Sequence, residues 1–80
     1  MEINEIKEKV RKFLIDELEI EEDKVYDDSK LKDDMGIDSL EVVDVVVLVD
    51  KEFGLKMKAE DFKELKTFDQ FCSFIYQKIG

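Results

Sequence analysis

Apolar residues recur at steps of three and four along most of this 80-residue chain, and no proline interrupts them. That period belongs to helices with one buried face. A chain this short buries only roughly 60% of the surface it exposes when unfolded. It has room for one modest core, so residues 1–80 are expected to form a single domain. The expected fold is all-α: a small four-helix bundle with three longer helices and one short third helix.

The first helix is expected from about Asn4 to Glu19. Ile3, Ile6, Val10, Phe13, Leu14 and Leu18 make its apolar stripe, and Glu5, Lys9, Lys12 and Asp16 occupy the other face. A long polar loop follows from Glu21 to Asp34, in which Val25, Leu31 and the adjoining Met35 can pin the chain to the core. A loop of that length in so small a domain points to function.

The second helix is expected to start at Asp38 or Ser39 and to end near Phe53, with Gly54 as its stop. Val42, Val43, Val45, Val46, Val47 and Val49 favour a strand on propensity alone. Two features favour a helix. Asp38-Ser39-Leu40-Glu41 reads as a capping-box-like start, with Asp38 as N-cap and Glu41 at N3. Val42, Val45, Val46, Val49 and Phe53 also fall on one helical face. A β-branched residue in a helix costs only tenths of a kcal/mol, which burial exceeds.

A short third helix is expected over Ala59 to Leu65, with Phe62 and Leu65 inward. The last helix is expected from Thr67 or Phe68 to Lys78. Thr67 is its N-cap, and Phe68, Phe71, Phe74 or Ile75, and Ile79 form its stripe.

Charge and residue types exclude several classes of function. The 22 acids and 13 bases give a net charge of −9, which disfavours nucleic acid and anionic membranes and favours basic partners. Without histidine there is no Ser-His or Cys-His nucleophile pair and no His-based metal site. Gly36, Gly54 and Gly80 lie too far apart for a phosphate-cradling glycine loop. An EF-hand register with Gly36 at the invariant glycine puts Leu31 and Val42 where acids are required, so no metal site is expected. Cys72 stands alone and is expected to be a partly buried thiol; Ser29 and Ser73 read as structural, and Tyr26 and Tyr76 as packing residues. No apolar run reaches membrane length and no signal-peptide pattern opens the chain. The expectation is a cytoplasmic monomer without membrane insertion.

The informative segment is Asp34-Met35-Gly36-Ile37-Asp38-Ser39-Leu40. Gly36 permits a tight turn before a helix. Asp38 caps that helix, and Ser39 sits at its first position with the hydroxyl outside the bundle. An anion attached there meets free backbone N–H groups and the positive end of the helix dipole, which suits a phosphodiester. From Asp33 to Asp50 the acids are Asp33, Asp34, Asp38, Glu41, Asp44 and Asp50, with no base among them. Leu40, Val43 and Val47 form a second apolar face on this helix, bordered by Glu41, Asp44 and Asp50. An apolar stripe rimmed by acids reads as a docking surface for a basic, groove-bearing partner.

Gly36-Ile37-Asp38-Ser39-Leu40, followed by the acidic, valine-rich helix ending Lys51-Glu52-Phe53-Gly54, resembles the phosphopantetheine attachment motif of acyl carrier proteins. The resemblance extends over almost the whole chain. It implies a carrier that catalyses nothing itself and has no catalytic residue. A phosphopantetheinyl transferase esterifies the serine matching Ser39 with covalent 4'-phosphopantetheine, and the terminal thiol then bears acyl groups as thioesters. Gly36, Asp38 and Leu40 frame the attachment serine. Further implied partners are acyl-transferring and chain-elongating or ligase enzymes with basic docking patches. The implied setting is fatty acid or related polyketide-like biosynthesis. An aminoacyl or peptidyl carrier (a D-alanyl carrier, for example) and an unmodified interaction domain of the same fold are the alternatives.

Three departures from the family pattern stand out. Lys51 interrupts the acid run, and Lys56, Lys58, Lys63 and Lys66 follow it. Lys58 stands where the family usually has a proline. Phe62, Phe68 and Phe71 occupy positions that line the acyl cavity in the family. They are expected to point inward and fill it, which favours short, polar or unsequestered cargo over a long saturated chain.

Overall fold

The apolar stripe of the N-terminal segment can be satisfied only by burial, and the first helix places it accordingly. In the computed structural model, which describes residues 2–79, α1 spans Ile3–Asp16 and buries Ile6, Val10, Phe13 and Leu14. The helix ends earlier than the Glu19 expected from its stripe. Glu19 takes a left-handed conformation (φ 56°), and the Ile20 N–H donates to the Leu14 carbonyl at 3.1 Å. Leu18 still packs against the core from this turn, so the apolar period continues after the helix has stopped.

The expected loop follows, interrupted by a one-turn 3-10 helix at Glu22–Lys24. α2 spans Ser39–Phe53, α3 spans Ala59–Lys63 and α4 spans Phe68–Ile79. α1 packs chiefly on α4, and α2 packs on α3 and α1. The chain is thus an all-α bundle of three long helices and one short one. Among the described residues no helix is long and apolar enough to cross a membrane.

α2 is helical despite its valines. Val42, Val45 and Val49 are buried, and Val46 and Phe53 pack half-buried against the core. Burying a valine side chain contributes about 1.5 kcal/mol or more, against tenths lost to β-branching. Gly54 stops the helix in the left-handed region (φ 67°), its N–H bonded to the Asp50 carbonyl at 2.8 Å. A side chain there would be strained.

α3 is two residues shorter than expected, and Leu65 lies beyond its end, half-buried. Lys58 precedes it, and a lysine side chain offers no acceptor to a free N–H. Only the return bond forms, from the Lys58 N–H to the Asp61 carboxylate at 3.2 Å. At the start of α4, Thr67 caps as expected, its Oγ1 accepting from the Gln70 N–H at 3.2 Å.

Phe62, Phe68 and Phe71 all point into the bundle and are buried, with Phe62 and Phe71 edge to face at 5.3 Å between ring centres. Tyr26 and Tyr76, expected to pack, are exposed instead. Their hydroxyls favour the water-facing side of a core that the phenylalanines already fill. Ser29 is structural, buried with its Oγ accepting from the Tyr26 N–H at 3.0 Å.

Cys72 is fully buried rather than partly so. Desolvation pushes its thiol up to about 12, against a smaller opposing pull from the Lys7 ammonium. Lys7 itself bridges Asp69 at 3.1 Å and Asp27 at 3.2 Å, tying α1 to α4 and the loop. The Asp69 hydrogen bond chiefly raises the Lys7 ammonium above its ordinary value, with Asp27 adding to it against the effect of burial.

The folded-state pKa of Cys72 lies above its ordinary value of 9.0, so folding favours the neutral thiol. That contribution is fully present below pH 9 and is lost as pH rises toward about 12. Native protein at pH 8 is therefore expected to resist iodoacetamide, with alkylation limited by opening of the fold and rapid in denaturant. Fast labelling of the native protein would contradict this burial.

Candidate functional site

The approach to α2 is built by backbone hydrogen bonds rather than by regular structure. Leu31 N–H donates to the Lys66 carbonyl at 2.8 Å, Phe68 N–H to the Ser29 carbonyl at 2.9 Å, and Asp69 N–H to the Asp27 carbonyl at 2.9 Å. The loop is thereby stitched to the start of α4. Val25, Leu31, Met35 and Ile37 are buried beneath it. The chain then reverses through Asp34, Met35 and Gly36, whose N–H groups all turn back onto the Lys30 and Lys32 carbonyls.

Gly36 has φ 73°, and a Cβ there would meet nothing within 4 Å. The requirement for glycine is therefore conformational, not spatial. Two residues on, Asp38 is extended, and its Oδ1 accepts from the Leu40 N–H at 3.0 Å and the Glu41 N–H at 3.2 Å. It is the N-cap. The reciprocal half of the expected capping box is missing: the Glu41 carboxylate makes no hydrogen bond to the Asp38 N–H. Ile37 and Val42, which flank the cap at N′ and N4, are both buried and line one cleft. That arrangement is a hydrophobic staple, which fixes the angle at which the chain enters α2. The sequence carries this signal in the Ile37/Val42 spacing.

Ser39 is the first residue of α2 and is exposed, and its hydroxyl has no hydrogen-bond partner among the described residues. It stands at the positive end of the α2 dipole, which favours an attached anion. Gly36, Asp38, Ser39 and Leu40 therefore form one continuous turn and helix start.

Along α2, Leu40 is 81% exposed, Val43 57% and Val47 60%. Asp44 is exposed beside them and Glu41 is half-exposed. The structure thus brings together every residue of the stripe read from the sequence and leaves it open to solvent.

Beside Ser39 lies a half-open cleft of about 610 Å³. Leu31, Ile37, Val42, Phe62 and Leu65 form its apolar surfaces. Lys30 and Lys32, which also line it, were not singled out by the sequence reading. They are distant in sequence from Lys63 and Lys66, and only the stitching of the loop to α4 brings the pairs together.

Comparison with known proteins agrees with this geometry. The family profile described as "Phosphopantetheine attachment site" matches residues 8–75. The acyl carrier protein of Thermotoga maritima is 37% identical over 76 residues, covering 95% of this chain and 94% of its own length. That of Petrotoga mobilis is 33% identical, covering 96% and 91%. That of Solidesulfovibrio magneticus is 32% identical, covering 94% and 96%.

The cap is testable by itself. Asp38→Ala removes the acceptor of the Leu40 N–H and leaves the Glu41 N–H with only the Asp38 carbonyl; it is expected to cost about 1 kcal/mol, lowering Tm by about 4–8 °C in a domain of this size. Asp38→Asn keeps an acceptor in place and is expected to lose much less. Equal Tm values for the two variants would show that the cap contributes nothing.

Proposed function

The chain belongs to the acyl carrier protein family, whose members carry covalent 4'-phosphopantetheine, and on that premise we propose that Ser39 is its attachment residue. The chain is a carrier and not an enzyme, and it works through a phosphopantetheinyl transferase and biosynthetic enzymes. The observation that carries the proposal is the geometry of the α2 start. The serine hydroxyl is exposed and unpartnered because the neighbouring aspartate already caps the helix.

The residues present suit the arm. The phosphodiester of an arm on Ser39 Oγ would lie at the helix N-terminus, where N–H dipoles offset its charge. When bound, the arm supplies a terminal thiol that holds the acyl group as a thioester. The chain's own residues position and solvate the arm: Gly36 sets the turn, Asp38 fixes the helix start, and Leu40 stands exposed next to the attachment point. Such a carrier serves fatty acid or a related polyketide-like biosynthesis, working as a single-domain monomer in the cytoplasm.

Leu40, Val43 and Val47, with Glu41 and Asp44, form the partner surface in this reading. Its apolar residues are open to solvent and its border is anionic. Apolar contact supplies affinity, and the acids steer basic enzymes toward the serine.

Incubation with coenzyme A and a phosphopantetheinyl transferase is expected to add one arm to the wild-type chain by intact mass. Ser39→Ala should remain folded by circular dichroism and gain nothing. Modification of that variant, or an unmodified wild type, would refute the assignment. In the second experiment, Glu41→Lys with Asp44→Lys is expected to slow arm transfer about ten-fold or more at low ionic strength, with Tm little changed. The gap between variant and wild type should close as salt is raised. Identical kinetics across the salt series would remove these acids from the docking surface.

A further inference from the structure

The chain carries a net charge of −9, yet four lysines (Lys30, Lys32, Lys63 and Lys66) line the cleft beside Ser39 against two aspartates, Asp33 and Asp38. This local excess of positive charge has no counterpart on the exposed face of α2. Among the described residues none of the four ammonium groups has a carboxylate within ion-pair distance; only Lys7, Arg11 and Lys56 hold such partners. Asp33 and Asp38 are not recruited to them; the Asp38 carboxylate is occupied by its cap bonds.

The two lysine pairs come from two separate segments of the lining. Lys30 and Lys32 belong to the loop, and Lys63 and Lys66 to the end of α3 and the turn into α4. The segments are joined by the Lys30–Thr67 bridge and the Leu31 N–H bond to the Lys66 carbonyl. A second bond, from the Lys66 N–H to Gln70 Oε1 at 2.9 Å, fixes the turn. Beside the lysines the cleft offers Leu31, Ile37, Val42, Phe62 and Leu65. It is therefore an apolar slot with a cationic rim that starts at the serine hydroxyl. Phe68 and Phe71 are buried in the core and take no part in the cleft lining.

We propose that this cleft selects a short acyl group that ends in a carboxylate, with Lys30, Lys32, Lys63 and Lys66 as the specificity-determining residues. The inference rests on Ser39 bearing the arm. The methylenes of such a group are sheltered by the apolar walls, while its carboxylate meets four ammonium groups that outnumber the two lining aspartates and are not ion-paired with them. A neutral chain gains only the apolar part. An aminoacyl group, which ends in an ammonium, is repelled by the rim. The cleft thus ranks cargo as anionic, then neutral, then cationic, and so disfavours an aminoacyl carrier.

The test loads the chain through a phosphopantetheinyl transferase with glutaryl-, hexanoyl- and 6-aminohexanoyl-coenzyme A, three acyl groups of comparable length. Intact mass first establishes that each arm is attached. Thermal melting then gives each Tm relative to the holo form with a free thiol. The glutaryl form is expected to melt about 2–4 °C above the hexanoyl form, the gain of a partly exposed ion pair in a domain of this size. The 6-aminohexanoyl form should melt lowest. The glutaryl excess should disappear in Lys63→Gln with Lys66→Gln, and at about 0.5 M salt, while the hexanoyl shift is retained. If no arm is attached, the carrier reading and this inference fall together. If arms attach but glutaryl and hexanoyl forms melt alike, or the excess survives the lysine substitutions, this inference alone is overturned. The same holds if the lysine substitutions change the unacylated holo form as strongly, since the phosphodiester is then the anion they bind.

Discussion

The stitching of the long loop to the start of α4 is the interaction on which the rest of the site depends. The loop shapes itself locally through one 3-10 turn and the turns at Ser29 and Asp34, but these turns do not fix it against the helices. Three backbone hydrogen bonds, from Leu31, Phe68 and Asp69, do so instead. Four buried side chains, Val25, Leu31, Met35 and Ile37, hold it from below. Paired backbone groups and buried apolar groups reinforce each other here, because each burial removes water that would compete for the bonds. Once the loop is fixed, the Gly36 turn, the entry angle of α2 and the lining of the cleft follow from it.

The helices were legible in the sequence wherever an apolar period coincided with an end signal. Thr67 and Gly54 mark their ends by chemistry that acts locally, and both act as expected. α1 shows the opposite case. Its stripe runs on through Leu18, but the backbone leaves the helix after Asp16 and turns at Glu19, a residue without the usual glycine or asparagine signal. Periodicity reports which residues are buried, not which are helical, so Leu18 was placed correctly against the core and incorrectly in the helix. The exposed tyrosines have a similar explanation. Aromatic character gives no direction by itself: Phe13, Phe62, Phe68 and Phe71 are buried, while Tyr26 and Tyr76 stand exposed.

Much of the site was also legible, because it is contiguous. Gly36, Asp38, Ser39 and Leu40 are neighbours in sequence, and the Leu40-Val43-Val47 stripe follows from helical spacing alone. The cleft was not. Lys30 and Lys32 meet Lys63 and Lys66 only through tertiary pairing, which no local pattern encodes. The same limit hid the division of charge in this chain. From sequence it reads as an acidic protein with a lysine-containing second half. In three dimensions Glu41 and Asp44 border the outer face of α2, while Lys30, Lys32, Lys63 and Lys66 outnumber Asp33 and Asp38 in the cleft. An acidic helix face addresses a basic macromolecule, whereas a cationic slot of about 610 Å³ is of a size for a small group.

The order of Asp38 and Ser39 gives the local chemistry its direction. Aspartate and serine are both good N-caps, and either could have started this helix. Had serine taken the cap position, its oxygen would accept from the first-turn N–H groups and be turned inward along the helix axis. With Asp38 as cap, both of those N–H groups are satisfied by a carboxylate, and the serine moves one position inward in sequence but outward in space. Its hydroxyl is left without an internal partner while the dipole of α2 still acts on it. A carboxylate cap also gains from the positive end of the α2 dipole, which a neutral serine cap would not. What the order adds at Ser39 is an exposed oxygen that the cap does not use. An ester to an anionic arm is the use that fits both the free hydroxyl and the positive helix end.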